Sequence, residues 1–308
     1  METRVPKRVG IEFFSGIGAW KYAIPGINFI PFEINEKCNI VYEENHGIKP
    51  KAKNLATIKS KDIPEAFIWC MSPPCQPFSS QKSSNLTNNA DPRNDALKNI
   101  IRLIPVKVPQ IIMLENVSNF KSSNLCDDLK ETLKANDYTF DEIIICPTEL
   151  GIPNSRKRYF LVASRIGMMS IPRPVSIKCK QILNYLVNPI PEECYITKPI
   201  LDKYFQVTDI IKATDIKSNC FTKNYYRYVE GTGSLIQTNL LELDPQLFTK
   251  HKYELGLRRF SPMEISKIFG FPPEIKWSVP VVDQYKLLGN SINIHVVQFL
   301  YLKIKHLF

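Results

Sequence analysis

The 308-residue sequence contains no apolar run approaching the about 18 residues of a membrane helix, which excludes an α-helical integral membrane protein. The first twenty residues have a basic start and an apolar stretch. Glu12 and Gly16 interrupt that stretch and no small-residue cleavage site follows, so no secretory signal and no membrane partner are expected. No C-x-x-C pair occurs and no Cys/His cluster has zinc spacing, so no bound metal is expected. The eight cysteines, at 38, 70, 75, 126, 146, 179, 194 and 220, are scattered and read as reduced, mostly buried thiols. Glycine is scarce, 12 residues in all, and no full G-x-G-x-x-G is present, so a dinucleotide is not the obvious ligand. There is no internal repeat and no low-complexity tract. With 44% hydrophobic and 23% charged residues, general disorder is excluded. The length suits two domains, or one large one with an insertion.

Charge is unevenly spread. Residues 1–150 hold 18 basic and 18 acidic side chains, while residues 151–308 hold 22 and 12, so the whole excess of +10 lies in the second half. A basic half beside a neutral one suggests a small-ligand part and a part that meets a polyanion; a solvated lysine-rich surface is the alternative.

Short apolar runs at residues 9–14, 28–32, 66–71 and 110–114 read as strands, with a helix over 95–104. Residues 143–146 and 159–164 read as an antiparallel pair. This rhythm implies an α/β fold with a mostly parallel sheet, whose ligands bind at the carboxyl ends of the strands. From about Ile171 prolines become frequent and the rhythm fades, which places a smaller domain at 171–257. Ser261, Pro262 and Glu264 mark a capped helix, and residues 292–305 form a last apolar helix suited to packing on the first domain.

Each chemically marked segment follows a strand. Phe14-Ser15-Gly16-Ile17-Gly18 lets backbone approach a ligand, although a plain tight turn reads equally well. Glu33, ending the second strand, can accept both hydroxyls of a ribose, which favours an adenosine-bearing ligand such as S-adenosylmethionine. Ser72-Pro73-Pro74-Cys75-Gln76-Pro77 holds a thiol on a stiff loop, as a positioned nucleophile requires; a buried cysteine in a proline turn is the alternative. Glu115-Asn116-Val117 ends an apolar strand. Partial desolvation suits Glu115 to be a general acid, and a salt-bridged carboxylate is the alternative. Asn154, Arg156 and Arg158 alternate, so an extended segment presents them on one face, where two guanidinium groups could hold a base carbonyl or a phosphate.

Together these segments resemble the cytosine-5 methyltransferases from Glu12 to His295: F-x-G-x-G, P-C-Q, E-N-V, the R-x-R pair and Leu287-Leu288-Gly289-Asn290-Ser291. Cys220-Phe221-Thr222-Lys223-Asn224-Tyr225, followed by Glu230-Gly231-Thr232-Gly233-Ser234, is similar to the signature of the branch that methylates an anticodon-loop cytosine of aspartate tRNA. Glu12 stands where much of the superfamily has Asp, Ala19 replaces a common glycine, and Asn154 replaces the Gln usual in the DNA enzymes.

The resemblance implies a Rossmann-like S-adenosylmethionine-dependent methyltransferase domain at 1–170 and 258–308, with a smaller target-recognition domain at 171–257. It implies that the Cys75 thiolate adds to C6 of cytosine while Glu115 engages N3 and Arg156 and Arg158 hold the base. C5 then takes the methyl group, and S-adenosylhomocysteine is the product. It assigns Ser15, Gly16, Ile17, Gly18, Ala19, Glu33, Ile34, Ile58, Ser72, Asn290 and Ser291 to the cofactor, and Cys220, Phe221, Thr222, Lys223 and Tyr225 to the substrate. It implies tRNA, with DNA as the alternative polyanion, as partner of a monomer in cytoplasm and nucleus. Two readings from other classes stand beside it: a catalytically silent RNA-binding module, and a redox protein using Cys70 and Cys75.

Overall fold

Strands and helices alternate from the first described residue, in a computed structural model that describes residues 8–75, 91–168, 170–239 and 249–308. The chain divides into two compact units, residues 1–145, 157–173 and 296–308 in the first and 146–156 and 174–295 in the second.

The first unit runs β1 (Arg8–Phe13), α1 (Ala19–Ala23), β2 (Ile27–Phe32), α2 (Glu36–His46), β3 (Ile68–Met71), α3 (Asp95–Lys107), β4 (Ile111–Val117), α4 (Asn124–Ala135), β5 (Thr139–Ile145) and β6 (Arg158–Ser164). The sheet order is β2-β1-β3-β4-β6-β5. The β1–β2, β1–β3 and β3–β4 pairs are parallel; β6 is antiparallel to both β4 and β5. The expected mostly parallel sheet and antiparallel pair are both present. All four residues of β3 are buried, as in a parallel strand covered on both faces. Leu97, Ile100, Ile101 and Ile104 recur at helical spacing on α3. They join Leu125, Leu129 and Leu133 of α4 in a core with Ile11, Phe13, Trp69, Met71, Ile112 and Leu114 of the sheet.

Register explains where the chemistry lies. Phe13 stands level with Met71, and Met71 with Leu114. The strand order reverses between β1 and β3, so their carboxyl ends open a crevice. β4 continues three residues past that level, to Val117, supported by β6. Glu115 and Asn116 are therefore strand residues, at the end of β4 where the sequence places them. β6 holds them because Glu115 lies opposite Phe160 and Asn116 opposite Tyr159.

The second unit holds α5 (Lys198–Tyr204), β7 (Asp209–Lys212), β8 (Ser234–Gln237), β9 (Leu257–Arg258), α6 (Pro262–Phe269) and α7 (Val281–Asn290). Its strands order β7-β8-β9, the first pair parallel and the second antiparallel. Ile196, Leu201, Val229, Leu235, Leu255 and Leu257 form a small core. The proline-rich approach yields only 3-10 turns at Ile182–Tyr185 and Glu192–Cys194. The capped helix is α6: Ser261 Oγ accepts from Glu264 N and Glu264 Oε2 accepts from Ser261 N. A last helix, α8 (Ile294–Ile304), follows, and the chain end meets β1, where Arg8 Nη1 donates to Leu307 O.

The compact units depart from the expected 171–257 division, because residues 146–156 and 258–295 group with the second unit. Two bonds show why. Buried Arg258, in β9, forks onto Glu264 of α6 at 2.8 and 2.9 Å, and Tyr225 Oη accepts from Phe260 N. The charge excess also redistributes: the first unit carries 24 basic and 17 acidic residues, the second 16 and 13. The basic half of the sequence is thus not a basic recognition unit.

Candidate active site

At the end of β1 the chain turns through Phe14 (φ 55°), Gly16 (φ 53°) and Gly18 (φ 85°). The two glycines serve different ends. Nothing lies within 4 Å of a Cβ built on Gly16, so its backbone faces open space; at Gly18 a Cβ would meet His46 Nε2 at 2.3 Å. Gly18 is therefore a packing requirement. Glu33 leaves β2 with its carboxylate fixed, Oε2 accepting from Gly16 N at 3.0 Å and Oε1 from Asn35 N at 2.9 Å. Each oxygen keeps a lone pair for a ligand diol. Ile34 beside it is exposed, whereas Ile58 is buried in the core with Leu55 and Ile63. Ser72 Oγ accepts from Trp20 Nε1 at 3.0 Å, tying α1 to the start of the cysteine loop. An open glycine backbone, an oriented carboxylate and an exposed apolar side chain suit an adenosine-bearing ligand.

Beneath the turn lies buried Glu12. Burial pushes its carboxyl up to about 8, against the opposing hydrogen bonds of Tyr42 and the Trp20 and Lys21 amides. Tyr42 Oη donates to Glu12 Oε2 at 2.9 Å. His46, packed against Tyr22 and Tyr42, is pushed down to about 4, by burial first and by Lys21 second. The signs are separable. Glu12 binds its proton more tightly folded than unfolded, so its contribution is full below about pH 4.5 and is lost as pH rises through about 8. Neutral His46 contributes above about pH 6.5, and that contribution is lost as pH falls through about 4. We expect Glu12→Gln to flatten the alkaline limb of unfolding free energy against pH, and an unchanged slope between pH 6 and 9 would contradict this.

Cys75 is half-buried at the end of the loop after β3; Gln76 and Pro77 lie outside the described residues. The loop is braced from β4, where Asn116 Nδ2 donates to Pro73 O at 3.3 Å and Asn116 Oδ1 accepts from Val117 N at 2.8 Å. Glu115 is buried, and Arg158 Nε stands 3.4 Å from its Oε1. The structure thus has the charge-paired carboxylate that the sequence left as an alternative. Cys70 is enclosed in β3, where burial pushes its thiol well up, an environment that suits neither a nucleophile nor a redox partner.

In the second unit the expected groups divide. Arg156 is 3% exposed and its guanidinium is spent on the protein. Nη1 donates to Cys220 Sγ at 3.2 Å and Phe221 O at 3.1 Å; Nη2 donates to Gly289 O at 3.1 Å and Ser291 O at 2.5 Å. This corrects the expectation that Arg156 holds a base: it fastens the 220–221 segment to the end of α7. The shared face with Arg158 fails because β6 begins only at Arg158, so residues 154–157 have no strand alternation. Asn154 is likewise internal, its Nδ2 donating to Ser218 Oγ and Asn219 O.

Phe221 and Tyr225 also depart from the surface role expected of them. Both are 1% exposed, their rings 5.1 Å apart, and Tyr225 Oη donates to Ser234 O at 2.6 Å. They form the floor of the signature segment; Thr222 and Cys220 are half-buried and Lys223 is exposed above them. Asn290 is exposed and Ser291 half-buried.

Gly289 carries a constraint the motif alone did not reveal. A Cβ there would stand 2.3 Å from Lys223 N and from Thr222 C. We expect Gly289→Ala to displace Thr222 and Lys223, to cost about 1–3 kcal/mol of stability, and to raise KM for the substrate. Wild-type unfolding and KM would refute this. Tyr42 and Trp20 are supports that sequence reasoning missed; only the i, i+3, i+4 spacing of Cys38, Val41 and Tyr42 on α2 signals one of them.

Among the described residues no group of three or more His, Cys, Asp or Glu could hold a metal, and no helix is long and apolar enough to cross a membrane. Residues 9–306 match the C-5 cytosine-specific DNA methylases. A tRNA (cytosine(38)-C(5))-methyltransferase of Schizosaccharomyces pombe is 33% identical over 314 residues, covering 94% of each chain. A DNA (cytosine-5)-methyltransferase of Dictyostelium discoideum is 31% identical, covering 93% of this chain and 91% of its own. The solved structure of an Entamoeba histolytica methyltransferase superposes with a TM-score of 0.91 at 33% identity, covering 99% of this chain and all of that one.

Proposed function

The chain belongs to the C-5 cytosine-specific DNA methylase family, and from that premise we infer that it methylates C5 of cytosine 38 in the anticodon loop of aspartate tRNA. The observation that carries the choice of RNA is the likeness, over nearly all of both chains, to a tRNA cytosine-38 enzyme, together with the Cys220-Phe221-Thr222 signature. The sheet-bearing unit binds the cofactor and carries the reacting side chains; the second unit presents the Thr222–Lys223 segment to the RNA.

S-adenosylmethionine, when bound, supplies an electrophilic methyl group. Glu33 would hold its ribose hydroxyls and the open backbone at Gly16 would admit it, with Ser15, Ile17, Gly18, Ala19, Ile34, Ile58 and Ser72 as the residues the resemblance assigns to it. Cytosine C5 is a poor nucleophile, and the Cys75 thiolate removes that difficulty by adding to C6, which makes C5 enamine-like. Glu115, fixed by β4 and paired with Arg158, shares a proton with the N3 edge and stabilises the adduct. After methyl transfer, loss of the C5 proton and elimination of Cys75 restore the aromatic ring. The target base must leave its stack, which is easiest in a loop.

The test is a side-by-side methyl-transfer assay on anticodon stem-loops and duplex DNA. We expect incorporation at the loop cytosine. Robust activity confined to DNA, as the Dictyostelium relative's name would suggest, would overturn the RNA reading.

A further inference from the structure

On the reading that the substrate is a tRNA, we propose that the lysines between α2 and β3 form a docking surface for its phosphate backbone outside the methylated loop. Lys49, Lys51, Lys53, Lys59 and Lys61 are all exposed within thirteen residues, and the interval holds no acidic side chain; Asp62 follows it. None of the ion pairs among the described residues uses any of the five. Like charges gathered without carboxylates repel one another, and a polyanion relieves that repulsion.

The backbone beneath them is fixed. Lys51 N donates to Pro31 O at 2.8 Å, and Glu33 N donates to Lys51 O at 3.3 Å. Asn99 Nδ2, on α3, donates to Leu55 O at 2.8 Å and Ile58 O at 3.0 Å. Leu55, Ile58 and Ile63 are buried. Lys51 is therefore held at the carboxyl end of β2, one backbone hydrogen bond from Glu33, with Lys49 and Lys53 two residues to either side, while Lys59 and Lys61 follow on the segment that Asn99 fastens to α3. Lys51 already lies over the Phe32 ring, 5.4 Å from its centroid. The other four are the ones available to phosphates. The first unit also carries the larger share of the charge excess.

The experiment compares wild type with a Lys49→Ala, Lys53→Ala, Lys59→Ala, Lys61→Ala variant. A charge-matched control changes the exposed lysines 134, 203, 303 and 305 to alanine. Binding to fluorescent tRNA and to duplex DNA is measured across salt, and KM and kcat on tRNA alongside. Each lost phosphate contact lowers the slope of log K against log salt by about 0.7–0.9. We expect the slope to fall by about 2–3 and tRNA binding near physiological salt to weaken by about tenfold or more. KM rises and kcat stays, because none of the four is in the reacting machinery. An unchanged slope, an equal loss in the control, or a loss confined to duplex DNA overturns the proposal. Salt-dependent tRNA binding that follows the expected pattern without any methylation supports the docking surface and overturns the methylation reading instead.

Discussion

We expect Cys75→Ala to abolish methyl transfer, lowering turnover by at least about a thousandfold, and to leave tRNA binding largely intact. The loop does not depend on the sulfur for its shape. Pro73 and Pro74 restrict it, and Asn116 Nδ2 holds the Pro73 carbonyl from β4. Alanine therefore removes the nucleophile and leaves the scaffold. Removing the attacking atom leaves only orientation and cofactor proximity, which do not activate C5. The companion measurement uses an anticodon stem-loop with 5-fluorocytosine at the target. Fluorine cannot leave as a proton does, so after methyl transfer the Cys75–C6 bond persists and a denaturant-stable complex accumulates with wild type and not with Cys75→Ala. Turnover surviving the substitution would end the covalent account and favour a silent binding module. Activity that tracked a reversible Cys70–Cys75 disulfide would favour redox chemistry, but Cys70 is fully buried within β3.

What was legible in the sequence was local. A parallel strand covered on both faces is a short apolar run, and β1, β3 and β4 each end in a chemically marked segment, so strand and motif announce each other. The α6 cap was legible because Ser261 and Glu264 satisfy one another within one turn. Contacts distant in sequence were not. Alternation from Asn154 to Arg158 predicts a shared face only if those residues lie in a strand, and the ladder starts at Arg158. Phe221 and Tyr225 belong to a signature that reads as recognition, yet their rings are core, because a segment that presents Thr222 and Lys223 outward must be anchored from below. The Leu287–Ser291 motif reads as cofactor-binding, while its glycine is required by backbone 66 residues earlier in the chain. α2 went unread because it buries few apolar side chains: Cys38, Val41 and Tyr42. Net charge by sequence halves misled for a topological reason, since the chain crosses between units more than once.

Arg156→Lys separates the two roles that the sequence and the structure assign to this residue. The guanidinium fork reaches two acceptors in the 220–221 segment and two at the end of α7. A lysine ammonium is a single point on a flexible stem and cannot span both sides. Buried acceptors left without donors cost roughly 1–3 kcal/mol each, so a loss of about 2–4 kcal/mol in urea unfolding is expected. The functional signature follows from the same geometry. With the fastening loosened, Thr222 and Lys223 lose their fixed position and KM for tRNA rises, while the Cys75 trap with fluorinated RNA still forms at saturating substrate. A residue that held the base itself would behave in the opposite way: stability near wild type, and kcat and covalent trapping lost together. The paired measurement of unfolding and trapping on one variant therefore decides between a fastening and a base-holding arginine.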